Sequence, residues 1–260
     1  MLYFWKTKDF IILYKAKIIF RNFKDFIIQT YKLIIIKTSF PIIHMFVFNN
    51  FKSFNQKSFF IKKIYESSIF DFSDWFTNKI PVLIYFLDKY EFSNKINLLE
   101  IGSFEGRSSI FFLNYFKEKL LTNNVTLTCV DTWEGSNEEF HKNINFNSVE
   151  KNFDSNTKIF GNHIDKKKLT SYDFFKIDNK KLYDLIFIDG SHEFKDVLAD
   201  AQSSFSLLNK NGIIIFDDFN WFHYKDEKLN PAHAINIFLK EKIKNVEVIF
   251  VGMILILRKI

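Results

Sequence analysis

The feature that most constrains the fold is an alternation of short, β-branched apolar runs with longer amphipathic stretches, which begins near residue 97. This alternation is typical of a parallel β-sheet whose strands are joined by crossover helices. It predicts seven strands, over residues 97–101, 125–130, 165–169, 183–189, 212–217, 246–251 and 253–258. Because only Gly252 separates the last two, we expect a tight hairpin there, which places an antiparallel strand in an otherwise parallel sheet.

A different kind of sequence precedes this alternating part. Residues 1–66 combine Ile- and Phe-rich runs with single Lys residues and show no clean helical or strand period. Residues 1–80 hold 13 Lys and Arg against 5 Asp and Glu, whereas residues 81–260 hold 23 against 25. We therefore predict a basic, aromatic-rich and largely helical N-terminal extension over residues 1–66, packed on one α/β domain over residues 67–260. The alternative is that the extension forms a cap, an oligomer interface or a membrane-surface patch. A helix is expected over residues 74–90, with Pro81 at one of its turns and Trp75 on its apolar side.

Composition excludes several classes of protein. Hydrophobic residues make up 47% and charged residues 25% of the chain, which argues against disorder and against a polytopic membrane protein. A single cysteine, Cys129, excludes a disulfide scaffold and suits a reducing, cytoplasmic compartment. Lys interrupts every apolar run before Phe40, so no transmembrane segment is predicted. A coding bias toward A/T-rich codons would account for the 35 Phe residues, so these are not taken as evidence of nucleic-acid binding.

The first candidate binding segment is a glycine loop that follows the first predicted strand. It reads E-I-G-S-F-E-G from Glu100 to Gly106 and leads into a helix. In open α/β sheets, ligands bind beside such loops, at the carboxyl ends of the strands. The spacing is G-x-x-x-G, and the Lys of a phosphate-binding P-loop is absent, which argues against ATP and weakens NAD. The alternative is that both glycines serve only a sharp turn and close helix packing.

The second candidate segment, V-D-T-W, places Asp131 at the end of the next strand. A carboxylate at that position can accept hydrogen bonds from both hydroxyls of a ribose. Trp133 could lie against an adenine ring, or it could be a core aromatic residue that follows a strand.

The third candidate segment contains three acids that follow two adjacent strands. Asp189 ends one predicted strand, and Asp217 and Asp218 end the next, so their carboxylates should converge at one edge of the sheet. Such close like charges require a proton or a cation between them. An all-oxygen cluster suits Mg²⁺ or Ca²⁺ and does not suit zinc. The alternative is that Asp217 and Asp218 only cap the following loop.

Together these segments resemble the class I S-adenosylmethionine-dependent methyltransferases, within them the macrocin-type and catechol-type O-methyltransferases that use a divalent metal. The resemblance covers residues 75–260 and rests on four motifs: E-I-G-S-F-E-G, V-D-T-W, I-D-G-S-H (188–192) and F-D-D (216–218). It implies a Rossmann-like, seven-stranded sheet with the terminal hairpin.

The resemblance also implies roles for individual residues. Asp189, Asp217 and Asp218 would hold the metal, expected to be Mg²⁺. His192 stands where the catechol-type enzymes have a Lys base, so it is the candidate catalytic residue. The residues expected to bind S-adenosylmethionine are Glu100, Gly102, Ser103, Phe104, Gly106, Asp131, Thr132, Trp133, Ser171 and Asp189. Ser171 stands where the family contacts adenine, although the usual acidic partner is missing there. From the residues alone, Asp196 and Asp200 are one helical turn apart beyond the third segment, so we expect them to solvate and anchor that helix and not to take part in the chemistry.

The sequence thus predicts methyl transfer from S-adenosylmethionine to a hydroxyl of a small molecule or sugar. The expected partner is a small-molecule or carbohydrate acceptor, and a homo-oligomer is compatible with the sequence. One alternative is an NAD-dependent oxidoreductase. A titration with S-adenosylmethionine and with NAD would distinguish it from a methyltransferase. Another is a non-catalytic module of the same fold that binds nucleic acid or an anionic membrane through the basic N-terminus.

Overall fold

The computed structural model describes residues 61–120, 124–136, 138–177, 181–219, 221 and 224–260. The N-terminal extension predicted over residues 1–66 lies mostly outside this part of the chain. All seven predicted strands are confirmed. They are β1 (Ile96–Ile101), β2 (Val125–Asp131), β3 (Ile164–Lys168), β4 (Tyr183–Ile188), β5 (Leu208–Phe216), β6 (Val246–Val251) and β7 (Leu255–Lys259).

Two strand boundaries differ from the prediction. The fifth strand begins four residues earlier than expected, at Leu208, which pairs with Tyr183 of β4 across an irregularity in the register. The hairpin turn occupies residues 252–254 rather than Gly252 alone, and the amide of Gly252 donates to the carbonyl of Ile254 at 2.9 Å. The last strand therefore starts at Leu255 and not at residue 253.

The strands form a single sheet in the order β3-β2-β1-β4-β5-β7-β6. Strands β1 to β5 pair in parallel, and β7 pairs antiparallel with both β5 and β6. This topology confirms the predicted Rossmann-like sheet with its C-terminal antiparallel hairpin. It brings the carboxyl ends of β2, β1, β4 and β5 to adjacent positions at one edge, so the loops that follow them share one site.

Helices cover both faces of the sheet because alternate strand residues point to opposite sides. Leu98 and Phe187 pack on one face, with the helices α1 (Ile80–Leu87), α2 (Arg107–Leu120) and α3 (Phe146–Thr157). Their neighbours Leu99 and Ile186 pack on the other face, with α4 (Ser171–Lys176), α5 (Phe194–Leu207) and α6 (Pro231–Lys242).

The helix expected over residues 74–90 is shorter and has two parts. A 3₁₀ turn, Thr77–Lys79, leads into α1, and Pro81 lies in the first turn, where its missing N–H costs no helical hydrogen bond. The expectation for Trp75 is wrong. It precedes the helix and is 46% exposed, with its ring 5.5 Å from that of Phe104.

Residues 61–66 are the described part of the predicted extension, and they pack on the α/β domain. Ile61, Ile64 and Tyr65 contact the core on the α1 and α2 face. The Tyr65 hydroxyl also donates to the carbonyl of Arg107 at 2.9 Å. In the part of the chain that the structure describes, no helix has both the length and the apolar character needed to cross a bilayer.

Candidate active site

A cleft of about 1260 Å³ opens at the carboxyl ends of the parallel strands. It has two halves that differ in chemistry. The loop half is formed by the glycine loop (102–104), the end of β2 (131–133), and Ser171 and Asp200. The acid half contains Lys79, Glu138, Asp189, His192, Asp217 and Asp218. Four separate motifs of the sequence are thereby brought around one cavity.

The glycine loop depends on a close approach between β1 and β4. Gly102 adopts a φ of 85°, and a Cβ placed on it would collide with the backbone carbonyl of Asp189. Its amide donates to the carbonyl of Val130 at 2.9 Å, which ties the loop to β2 as well. Because only glycine fits this position, Gly102 fixes the two halves of the cleft against each other.

Glu100 and Gly106 lie beneath the cleft and are not among the residues that line it. Glu100 is fully buried and accepts hydrogen bonds from the hydroxyls of Ser103, at 2.6 Å, and Ser109. Burial raises the pKa of its carboxyl group above the ordinary value. Both residues were predicted to bind the cofactor, and the structure places them where they shape the loop from below.

Asp131 joins the glycine loop to the end of β2. Its Oδ2 accepts from the amides of Ser103, at 2.8 Å, and Phe104, at 2.9 Å. Its Oδ1 accepts from the amide of Trp133 at 2.7 Å. The carboxylate also lines the cleft, together with Thr132. Asp131 is thus positioned to organise the loop and to present oxygen atoms to a ligand.

Trp133 packs mainly into the core. It is 3% exposed, and its indole N–H donates to the carbonyl of Phe104 at 2.9 Å. Its ring centroid lies 4.8 Å from that of Phe153. Of the two interpretations that the sequence left open, these contacts favour the core aromatic, although Trp133 also lines the cleft.

Ser171 opens α4 and lines the cleft as predicted, but its partner was missed. Asp200, on α5, is only 3% exposed, and burial raises its pKa to about 7 despite a hydrogen bond from Ser171. The sequence interpretation of Asp200 as a solvated, anchoring residue of that helix is therefore wrong. Asp200 supplies the loop half with a buried acid that was expected to be absent.

The three predicted acids do converge. One carboxylate oxygen from each of Asp189, Asp217 and Asp218 lies within 4.8 Å of the other two. Burial, with the neighbouring carboxylates, raises the pKa of Asp189 well above its ordinary value. Burial also raises the pKa of Asp217 to about 6, although Lys79 opposes this shift. The Oδ1 atom of Asp217 is buried and has no hydrogen-bond partner among the described residues.

Lys79 is the main residue of the acid half that sequence reasoning missed. Its ammonium group donates to Oδ2 of Asp217 inside the protein, where Lys79 is 9% exposed. Burial alone would lower the pKa of Lys79, but the charges of Asp217, Asp189 and Asp218 outweigh it and raise the pKa. The only sequence signal was a Lys next to the apolar start of α1, 138 residues away from Asp217.

His192 is held between two carboxylates. Its Nδ1 lies 2.5 Å from Oε1 of Glu138, and its Nε2 lies 2.8 Å from Oδ2 of Asp218. The ring stacks on Trp221 with centroids 4.4 Å apart and planes 10° apart. Burial acts to lower the pKa of His192, but the two hydrogen-bonded acids raise it to about 9. A pKa near 9 favours the protonated imidazole at neutral pH, so His192 must lose a proton before it can act as the base that the resemblance implies.

Glu138 could not be selected from the sequence, because nothing in its neighbourhood marks it as functional. It lies in the loop after β2, is 9% exposed, and also accepts from the Ser136 hydroxyl at 3.0 Å. Burial favours its protonation, yet the hydrogen bond from His192 keeps its pKa below the ordinary value. Glu138 therefore orients the imidazole from the side opposite the acid trio.

Comparison with protein families identifies the class of domain. Residues 99–219 match a family model described as a methyltransferase domain. All four motifs of the predicted resemblance lie within this range, so this part of the chain is similar to a methyltransferase domain. A curated relative, the uncharacterized protein R132 of Acanthamoeba polyphaga mimivirus, is 28% identical over 145 residues. That match spans 54% of this chain and 59% of the relative.

Solved structures confirm the class of fold. An O-methyltransferase from Bacillus cereus, in complex with SAH, is similar with a TM-score of 0.51 and 15% identity, covering 84% of this chain and 97% of that one. The O-methyltransferase TomG from Streptomyces achromogenes, in complex with SAM, has a TM-score of 0.52 and 14% identity, covering 84% and 95%. The chain has the class I methyltransferase fold that its motifs predicted.

Proposed function

We propose that this protein transfers the methyl group of S-adenosylmethionine to a hydroxyl of a small molecule or sugar, with assistance from a divalent metal. The observation that carries the proposal is the arrangement of the cleft. A glycine loop organised by Asp131 lies directly beside a convergent acid trio with His192. The methyltransferase-domain match over residues 99–219 supports the reaction class.

The loop half is proposed to bind S-adenosylmethionine, which supplies a methyl group on a positively charged sulfur. Gly102 to Phe104 would lie along the methionine part, and Asp131 would accept from the ribose hydroxyls. Ser171 and Asp200 would face the adenine. With a pKa of about 7, Asp200 is available in both protonation states near neutral pH, and its protonated form can donate as well as accept a hydrogen bond, which suits the mixed donors and acceptors of a purine edge.

The acid half fits a hard divalent cation. Its donors are carboxylate oxygens, and the buried Oδ1 of Asp217 still lacks a partner among the described residues. Asp189, Asp217 and Asp218 would hold the ion. When bound, Mg²⁺ would act as a Lewis acid that orients an acceptor oxygen and lowers its pKa. The chain itself contributes by holding the three acids close together, in the same cleft as the glycine loop.

Methyl transfer to a hydroxyl breaks a carbon–sulfur bond, forms a carbon–oxygen bond and releases the hydroxyl proton. Nε2 of His192 is the proposed proton acceptor. In this structure Nε2 carries a proton toward Asp218, so His192 must first release that proton to solvent before Nε2 can accept the hydroxyl proton. Glu138 would keep the Nδ1 proton in place, so that the incoming proton is received at Nε2. Most of the remaining catalysis is alignment of the acceptor oxygen with the sulfonium methyl.

Aromatic side chains surround the acceptor side of the cleft. Trp221 stacks on His192, and its ring lies 5.0 Å from the ring of Tyr224. Such rings offer flat apolar faces together with polar edges. This combination favours a sugar ring or a vicinal diol that carries both C–H faces and hydroxyls.

The test combines cofactor binding with transfer. S-adenosylhomocysteine should bind the purified protein in calorimetry, and NAD should not. Transfer of label from S-adenosylmethionine should then be measured across a panel of sugars and vicinal diols, with Mg²⁺ and with excess chelator. His192→Ala should retain cofactor binding and lose about 10²- to 10⁴-fold in rate. Binding of NAD in place of S-adenosylhomocysteine would overturn the proposal, and cofactor binding without transfer to any acceptor would favour a non-catalytic module.

A further inference from the structure

Lys79 has a contact that the proposed chemistry does not use. It is the last residue of the 3₁₀ turn before α1, and it lines the cleft. Its ammonium group donates to Oδ2 of Asp217, and the charges of Asp189 and Asp218 also act on it. The cation of Lys79, which is tethered to the chain, therefore faces the same three carboxylates that are proposed to hold the metal.

The position of Lys79 matters because its charge compensates the charge of the three acids. Three carboxylates at this spacing are unstable in a dry site unless positive charge compensates them. Among the described residues, the compensating positive charge comes from Lys79, which contacts Asp217, and from His192, which contacts Asp218. A divalent ion bound among the trio would carry the same sign as the ammonium group and would repel it at short range.

We propose that Lys79 is a built-in counter-cation of the acid trio that competes with the divalent metal, so that metal binding requires the ammonium group to leave Asp217. This inference rests on the metal site of the proposed function. Lys79 keeps the trio compact when no metal is bound, and its flexible four-carbon chain allows it to withdraw into the adjoining cleft. Its charge sets how much metal is needed to occupy the site.

The competition predicts the effect of removing the charge. Lys79→Met should bind Mn²⁺ at least about tenfold more tightly than the wild type, because the ion no longer displaces a cation. Lys79→Gln, which keeps a hydrogen-bond donor toward Asp217, should show the same direction. Lys79→Arg, which keeps the charge on a bulkier group, should bind no more tightly than the wild type. Free Mn²⁺ is counted by electron paramagnetic resonance on each full-length protein.

Thermal unfolding provides a second readout, which also covers variants that fold poorly. Added Mn²⁺ should raise the midpoint of Lys79→Met by several degrees more than that of the wild type, because its trio has lost its own cation. The matched control is Lys119→Met. Lys119 contacts the carbonyl of Leu87 at 2.6 Å outside the cleft, so its loss should lower stability without changing the response to Mn²⁺.

The outcomes separate this inference from the proposed function. Equal or weaker Mn²⁺ binding by Lys79→Met and Lys79→Gln would overturn the role of Lys79 and leave the metal site intact. An absence of Mn²⁺ binding in every variant, with normal binding of S-adenosylhomocysteine, would overturn both the metal site and the competition. Tighter binding in both uncharged variants, with no change in Lys119→Met, would establish the competition.

Discussion

The two halves of the cleft deal with buried charge in different ways. In the loop half, Asp131 accepts from three backbone amides, so its charge is stabilised by groups that cannot move away. In the acid half, the carboxylates are compensated by the side chains of Lys79 and His192. Fixed amides prepare a binding surface in advance, whereas side-chain cations can be exchanged for other cations. The difference gives the loop half a fixed surface and the acid half a site where one cation can replace another.

Asp200 is the exception within the loop half and sharpens the contrast. It is as buried as Asp217, at 3% exposure each, but Asp217 has an ammonium partner and Asp200 has a serine hydroxyl. The protein therefore balances the charge of Asp217 with a cation, whereas burial without a cation raises the pKa of Asp200 to about 7. This comparison can be tested at four points.

The largest expected effect is at the junction of the halves. Gly102→Ala should lower the free energy of unfolding by about 3–5 kcal/mol, from the strain of a positive φ and the collision with the Asp189 carbonyl. Gly161→Ala is the matched control, since Gly161 also has a positive φ, of 50°, but open space around its Cβ. Chemical denaturation measures both. Equal losses of stability in the two variants would show that the collision with the Asp189 carbonyl adds nothing to the strain of the positive φ.

The next effect concerns pH. Asp200 has a pKa of about 7 in the folded protein against 3.8 ordinarily, so between these values the folded state holds a proton that the unfolded chain has released. Wild-type stability should therefore fall as pH rises through this window and level off above it. Asp200→Asn lacks this penalty and should gain about 3 kcal/mol relative to the wild type between pH 4 and pH 8.

Urea unfolding of the wild type and Asp200→Asn at both pH values measures this difference. Repeating it in 1 M salt is the control, because a penalty that comes from burial is not screened. A difference between the two proteins that is the same at pH 4 and pH 8 would contradict a neutral Asp200.

A pair of substitutions tests whether the halves act independently. Asp131→Ala should weaken S-adenosylhomocysteine binding about tenfold or more, because three loop amides lose their charged acceptor. Asp217→Asn should leave that affinity within about twofold and instead impair Mn²⁺ binding. Calorimetry with each ligand on each variant gives the four values. If both substitutions weaken the same ligand equally, the halves are one coupled site.

The smallest effect is expected at Trp133. Trp133→Phe removes the hydrogen bond to the carbonyl of Phe104 and should cost about 1 kcal/mol of stability. Because the ring is 3% exposed, affinity for S-adenosylhomocysteine should change by less than about threefold. A much larger loss of affinity, at unchanged stability, would show that Trp133 stacks on the adenine and restore the first interpretation of the sequence.

The sequence by itself determined the parts that are built from contiguous segments. Strand and helix periodicity reflect local geometry, so the seven strands and the terminal hairpin could be predicted from the sequence. The convergence of Asp189, Asp217 and Asp218 could also be predicted, because parallel strands joined by crossovers must end at the same edge of the sheet. Even there, the turn at 252–254 and the early start of β5 depended on pairing with neighbouring strands.

Only the tertiary structure decided which side chains complete these segments. Lys79 reaches Asp217 from 138 residues away, and Glu138 reaches His192 from 54 residues away. No local pattern marks either residue, since their partners are set by how α1 and the loop after β2 pack on the sheet. Burial is likewise a tertiary property. Burial raised the pKa of Asp200 to about 7, and the two carboxylates packed around His192 raised the pKa of its imidazole. Both shifts depend on surroundings that the chain assembles only on folding.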